Sequence, residues 1–200
     1  MTTSKSYKDS SFSHDDLFLS KQIIINPVTG DRMTILCSTA DSNGEYFQVQ
    51  FDLPPGAKGS PLHYHGYMHE TFEVLRGSLN MELCEKGNIK TLRTGDKVYV
   101  YPGMYHSFWN ESNDWVTFIS EIRPAGNFEQ FLKAWYGLAG DGKVNKDGVP
   151  TNLLQLALIV QKSDTIVVGQ PPFLQKIILN ILTKIARILK VERTLVKYWR

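Results

Sequence analysis

The sequence predicts a mostly β fold, a single antiparallel barrel followed by C-terminal α-helices, on two observations. From Leu17 to about Pro124 the chain is a succession of short segments rich in Val, Ile, Thr and aromatic residues, each closed by a turn signal. Beyond Pro124 the apolar residues recur at helical spacing instead.

The strand segments are LFLSKQIIIN, RMTILCST, EYFQVQFDL, ETFEVLRG, SLNMELCE, IKTLRTGDKVYVYP and WVTFISEIRP, set apart by turns such as VTGD, DSNGE, PPGAKG, EKGN and RTGD. Many short strands at close spacing argue for an antiparallel sandwich or barrel, and without an internal copy of the pattern one barrel is expected. Three helices follow. NFEQFLKAWYGLAGDGK has Asn127 in N-cap position, Phe128, Phe131, Leu132 and Trp135 at helical spacing, and a Gly-rich stop. PTNLLQLALIVQK reads as a helix opened by Pro150. In FLQKIILNILTKIARILK, residues Leu174, Ile177, Ile178, Ile181, Leu182, Ile185, Ile188 and Leu189 form a continuous apolar stripe. The expected organisation is a flexible polar leader over 1–15, a β-barrel over 16–125 and a helical extension over 126–200.

Composition narrows the function classes. Of 200 residues, 42% are hydrophobic and 21% charged, which is the make-up of an ordinary globular chain rather than a disordered or fibrous one. A net charge of +2 gives no overall pull toward nucleic acid, and no nucleic-acid partner is expected. Cys37 and Cys84 have neither metal nor redox spacing and are too few for a disulfide framework, so a cytoplasmic home is expected. The first 16 residues are polar and contain three aspartates, unlike a secretory or transit peptide, and His14 among them is expected to be a surface residue. No apolar run approaches the roughly 18 to 20 residues of a membrane-spanning helix.

The chemistry concentrates in PLHYHGYMHETFEVLRG, residues 61–77, which holds three of the five histidines. His63 and His65 are two apart, so on a strand both imidazoles leave the same face. Glu70 follows beyond a turn, where the next strand can return a carboxylate to the same spot. Alternation sends His69 and Glu73 to the opposite face. A later segment, GDKVYVYPGMYHSFWN, supplies His106 after a Pro102-Gly103 turn. Three imidazoles and a carboxylate suit a divalent transition ion such as Fe, Mn, Ni, Co, Cu or Zn.

These residues resemble the cupin superfamily. His63, His65, Glu70 and Gly77 fit the first cupin motif, and Gly95, Gly103, His106 and Asn110 fit the second, over roughly residues 45–123. Two positions depart: Tyr101 stands where the second motif has proline, and the upstream glycine of the first motif, Gly56 or Gly59, is out of register. The resemblance implies a jelly-roll (double-stranded β-helix) barrel, metal bound by His63, His65, Glu70 and His106, and a plausible homodimer. It also implies a wide range of functions, from quercetinase-like dioxygenases and oxalate-degrading enzymes to isomerases and sensors.

Neighbouring residues narrow the range. Phe72 lies two after Glu70, Phe108 two after His106, and Met81 and Tyr99 are placed to reach the cavity, so an apolar or aromatic small molecule is the expected ligand. The first reading is a metal-dependent oxygenase in which Glu70 also acts as a base. The alternatives are a non-catalytic ligand-binding or scaffold cupin and a metal-assisted isomerase or lyase.

The C-terminal stretch carries Lys176, Lys184, Arg187, Lys190, Arg193, Lys197 and Arg200 against one acid, Glu192. Its stripe is expected to pack on the barrel, the preceding helices or a second subunit, with the lysines solvating the outer face. Peripheral membrane contact by residues 172–200 is the competing expectation.

Overall fold

The computed structural model describes residues 23–199. The leader with His14, the first part of LFLSKQIIIN and Arg200 lie outside the described residues.

Eleven strands form among the described residues: β1 (Ile23–Ile25), β2 (Arg32–Cys37), β3 (Phe47–Leu53), β4 (His63–His65), β5 (His69–Arg76), β6 (Ser78–Cys84), β7 (Ile89–Arg93), β8 (Lys97–Val100), β9 (Tyr105–Trp109), β10 (Val116–Arg123) and β11 (Thr165–Val167). They make two antiparallel sheets, one ordered β1-β2-β3-β10-β5-β8 and the other β11-β4-β9-β6-β7. The mostly β class with C-terminal helices is as expected, and the strands of the expected jelly-roll region are divided between two sheets. No ladder joins the two sheets among the described residues, so the β region is a sandwich.

Two of the sheet changes are made at glycines. Gly77 lies between β5 and β6 with φ +81°, and a Cβ there would stand 2.8 Å from the Trp115 carbonyl oxygen, so the chain turns from one sheet into the other where only glycine fits. IKTLRTGDKVYVYP is likewise two strands rather than one. Its RTGD turn closes with the Asp96 amide donating to the Arg93 carbonyl at 2.8 Å, Gly95 has φ +91°, and β7 and β8 enter different sheets.

The central strands bury alternate side chains, as period-2 segments with one face on a core must. Phe47, Val49 and Phe51 of β3 meet Phe72 and Val74 of β5, Leu79 and Met81 of β6, and Phe118 and Ile122 of β10 between the sheets.

Helix α1 (Phe128–Gly140) lays Phe128, Leu132 and Tyr136 onto this core. Its opposite side, with Ala134 and Leu138, joins a second cluster with α2 (Leu153–Val160) and α3 (Pro172–Ile188). Asn127 does take the N-cap position of α1, but its side chain makes no capping bond. Helix α2 opens at Asn152 rather than Pro150: the Asn152 carbonyl oxygen of the side chain accepts from the amides of Leu154 and Gln155, while Pro150 pairs with Val144 in an isolated bridge.

The apolar stripe of α3 is not covered by the described part of the chain. Thr183 and Ala186 face inward, and Leu174, Ile177, Ile178, Ile181, Ile185, Ile188 and Leu189 are exposed. The small side chains of Thr183 and Ala186 allow close approach to the neighbouring helix, and the larger residues are turned away from it.

Candidate metal centre

Both sheets contribute to the histidine cluster. Strand β4 buries His63 and His65 and turns Tyr64 away. His106, on β9, lies directly opposite His63 in the ladder, and Glu70 reaches across from β5 in the other sheet. All four side chains are buried, and one ligand atom from each lies within 4.8 Å of the others. The ring centroids of His63 and His106 are 4.1 Å apart, and those of His63 and His65 are 5.1 Å apart.

The backbone sets the imidazole tautomers. His63 Nδ1 stands 2.8 Å from the Pro61 carbonyl oxygen, and His106 Nδ1 stands 3.2 Å from that of Met104. A carbonyl only accepts, so each Nδ1 carries a proton, and the neutral form of either ring presents its lone pair on Nε2. Burial, with the neighbouring His106 and His65 adding to it, pushes His63 down to about 3, so at neutral pH this ring is a neutral donor.

The centre is electrostatically incomplete without a cation. His106 Nε2 is 3.2 Å and His65 Nε2 3.5 Å from the same Glu70 Oε2, so two imidazole nitrogens crowd one carboxylate oxygen: with a proton on Nε2 they donate to it, and in the Nδ1-protonated neutral form they face it lone pair to lone pair. Burial alone would raise Glu70, but the neighbouring His106 and His65 outweigh it and hold the carboxyl well below its usual range. Burial opposes protonation of His65 too, yet the Glu70 carboxylate and Asp164 raise it. The 3.5 Å contact is nevertheless poorly aligned, and both ring nitrogens of His65 are buried without a hydrogen-bond partner. Leaving such a polar atom unsatisfied costs about 1–3 kcal/mol. A divalent ion would take up these lone pairs and the carboxylate charge together, so the residues present fit a metal.

Three further residues support the cluster. Ser120, fully buried on β10, donates its hydroxyl to Glu70 Oε1 at 2.5 Å. The Phe128 ring at the start of α1 meets His65 edge-on at 5.9 Å. Asp164, just before β11, accepts from the amides of Tyr67 and Met68 at 2.7 and 3.4 Å, pinning the turn between His65 and Glu70. Sequence reading missed all three. Ser120 had a signal, being the lone hydroxyl among the inward positions Val116, Phe118, Ser120 and Ile122.

Of the expected pocket residues, Phe72, Met81 and Phe108 stand on the inner side. The Phe72 ring lies 6.0 Å from His106 and 5.8 Å from Phe108, and Met81 pairs with Phe108 in the ladder. Tyr99 does not join them. It lies opposite Thr71, while its neighbour Val100 lies opposite Glu70 and takes the inner face; Tyr99 is therefore turned outward and is 56% exposed. His69 and Glu73 also sit off the inner face, and Glu73 pairs with Lys97 at 3.1 Å.

The motif glycines and asparagine serve as scaffold. Tyr101 occupies the usual proline position without harm because Pro102 and Gly103 fill the two central places of the turn that the Met104 amide closes on the Tyr101 carbonyl at 3.0 Å; Gly103 has φ +81°. Asn110 donates to the carbonyls of Leu53, Pro54 and Asp114 and accepts from Ser112. Of the two upstream glycines, Gly59 has the steric requirement: a Cβ there would lie 1.7 Å from the Phe108 carbonyl oxygen.

Two antiparallel sheets closing on three histidines and a glutamate define a metal-site β-sandwich. Residues 49–120 match the Cupin_2 family, described as a cupin domain, so the chain carries a cupin domain over that stretch. A protein of Arthrobotrys oligospora named an oxidoreductase is 29% identical over 120 residues, which are 56% of this chain and 46% of that protein. The match thus spans less than half of the curated relative's length. Among solved structures, a sugar phosphate isomerase of the cupin superfamily from Silicibacter pomeroyi aligns with TM-score 0.46 and 22% identity, over 53% of this chain and 73% of that one. A predicted oxalate decarboxylase from Thermotoga maritima aligns with TM-score 0.44 and 26% identity, over 52% and 91%.

Proposed function

We propose that the protein is a metal-dependent oxygenase acting on a small, rather apolar or aromatic molecule. The observation that carries this reading is the convergence of His63, His65, Glu70 and His106 on one buried point beside aromatic side chains. A divalent ion held by these four residues would supply Lewis acidity and, if redox-active, a meeting point for dioxygen and substrate.

The protein's own groups have distinct parts in this reading. His63 and His106 are fixed by backbone carbonyls, so their Nε2 atoms keep their aim. Glu70 stays ionised and would serve as the proton acceptor for a substrate beside the ion; Ser120 holds its Oε1 in place. Phe72, Phe108 and Met81 keep water away from that side. The redox assignment agrees with the name of the Arthrobotrys oligospora relative.

One observation favours a second reading, a non-catalytic ligand-binding or scaffold cupin. Phe51, Phe72, Phe108 and Phe118 pack on one another with centroids 5.2 to 6.3 Å apart, which fills the interior beside the cluster. Metal analysis of untagged protein, alongside a His63→Ala/His106→Ala variant, comes first, and oxygen-uptake assays over small aromatic and apolar compounds follow. Oxygen consumption that needs both the metal and the two histidines supports the oxygenase. Turnover unchanged under anaerobic conditions transfers the reading to isomerase or lyase chemistry, and stoichiometric metal with no turnover transfers it to the scaffold.

A further inference from the structure

Helix α3 presents its apolar residues away from the body of the protein. Along a helix of 3.6 residues per turn, Gln175, Leu179, Leu182, Thr183 and Ala186 fall on one side, and Thr183 and Ala186 are the buried positions. Ala186 belongs to the cluster with Leu138 of α1 and Leu158 and Ile159 of α2. On the far side stand Leu174, Ile177, Ile181, Ile185 and Ile188, with Phe173 at the N-terminal end. All are exposed, Phe173 at 68% and Ile188 at 78%. A surface helix of a globular chain places its apolar face on the core; this one does the opposite.

The charge pattern identifies the covering partner. No acidic residue occurs between Asp164 and Glu192, whereas Lys176, Lys184, Arg187 and Lys190 do. Lys176, Lys184 and Arg187 project along one border of the apolar face. A second copy docked antiparallel through this face would set the two cationic borders side by side with no acid on either helix to offset them. A bilayer bearing anionic headgroups satisfies both features, taking the isoleucines into its interface and the cations at its surface. At 17 residues the helix is about 25 Å long, and no helix among the described residues is long and apolar enough to cross a membrane.

We infer that α3 docks the protein on an anionic lipid surface, lying in the plane of the interface with Ile177, Ile181, Ile185 and Ile188 inserted. The docking helix is tied to the metal-site sheet. Gln175 accepts from the Val167 amide and donates to the Val167 and Gln170 carbonyls, and β11, which contains Val167, pairs with the histidine strand β4. The inference is independent of the oxygenase reading and requires no turnover.

The test is flotation of the full chain with phosphatidylcholine vesicles that contain or lack phosphatidylglycerol, together with light scattering of the free protein. Cofloating with the anionic vesicles only is expected. Lys176→Gln/Lys184→Gln should weaken it by roughly thirtyfold, from two surface charges. Ile177→Glu/Ile181→Glu should abolish it while circular dichroism and the melting temperature stay unchanged, because both positions are exposed. A chain that floats with neither vesicle overturns the inference. So does flotation insensitive to the isoleucine substitutions, which would mean adsorption by charge alone. A glutamate variant that converts a dimer to a monomer without altering flotation assigns the face to a second copy, and also overturns it.

Discussion

Ser120 and Asn110 show how single polar side chains hold the site from opposite directions. Ser120 fixes one carboxylate oxygen of Glu70, leaving the other among the imidazoles. Ser120→Ala should therefore weaken metal binding by about 10- to 100-fold, the usual effect of losing an outer partner of a ligand, with little change in fold. Competition against a chelator of known affinity checks this, and unchanged affinity would reduce Ser120 to core filling. Asn110 acts through the chain instead. Its buried amide serves three carbonyls, so Asn110→Ala should destabilise the fold by about 1–3 kcal/mol in urea titration. Gly59 tolerates less: in Gly59→Ala the Phe108 carbonyl and the start of the β4 approach must separate, and a loss of soluble folded protein is the expected outcome.

Helix α1 is tied to the turn that follows β2 by a carboxylate. Glu129 accepts from the Thr39 amide at 2.8 Å and pairs with Lys133 at 2.7 Å. Burial opposes its ionisation, but Lys133 and the Thr39 amide outweigh it and lower its pKa from 4.5. A group lowered on folding contributes stability that is present above its unfolded value and lost as pH falls through its folded value. Glu129→Gln should thus lower the melting temperature at neutral pH, and the difference from the native chain should shrink below about pH 4.5 and close as the pH falls through the lowered folded value. A difference that persists into acid would assign the effect to packing. The elements also show what the sequence could disclose. His63, His65, Glu70 and His106 were legible because a period of two and a fixed motif spacing encode direction along single strands. The short β11 was not, since TIV between two helices has too few residues to show a period, and its strand form depends on pairing with β4. Tyr99 failed for a related reason: alternation gives two faces, and only the ladder with β5 says which is inner.

At the scale of the whole molecule, the two sheets meet at the site through Glu70 and the imidazoles, and the His65 nitrogens are left without partners unless a cation intervenes. Sheet packing was readable as a class but not as a closed or open architecture, because the crossing at Gly77 depends on contacts with Trp115 and Val116 far along the chain. The metal should accordingly act as a staple between β4 and β9 on one side and β5 on the other. In its absence the Nε2 atoms of His65 and His106 crowd one oxygen of Glu70, and the His65 nitrogens stay unsatisfied. Binding to the folded state alone contributes about 2.7 kcal/mol at a free metal concentration a hundred times the dissociation constant. For a chain of 200 residues that corresponds to a rise in melting temperature of roughly 5–10 °C. Scanning calorimetry of chelator-treated protein, before and after adding back each divalent ion, measures it. The ion that raises the transition most should do so in the native chain and lose its effect in His63→Ala/His106→Ala. An equal rise in that variant would place the stabilising metal elsewhere on the molecule and leave the buried cluster without a structural role for it.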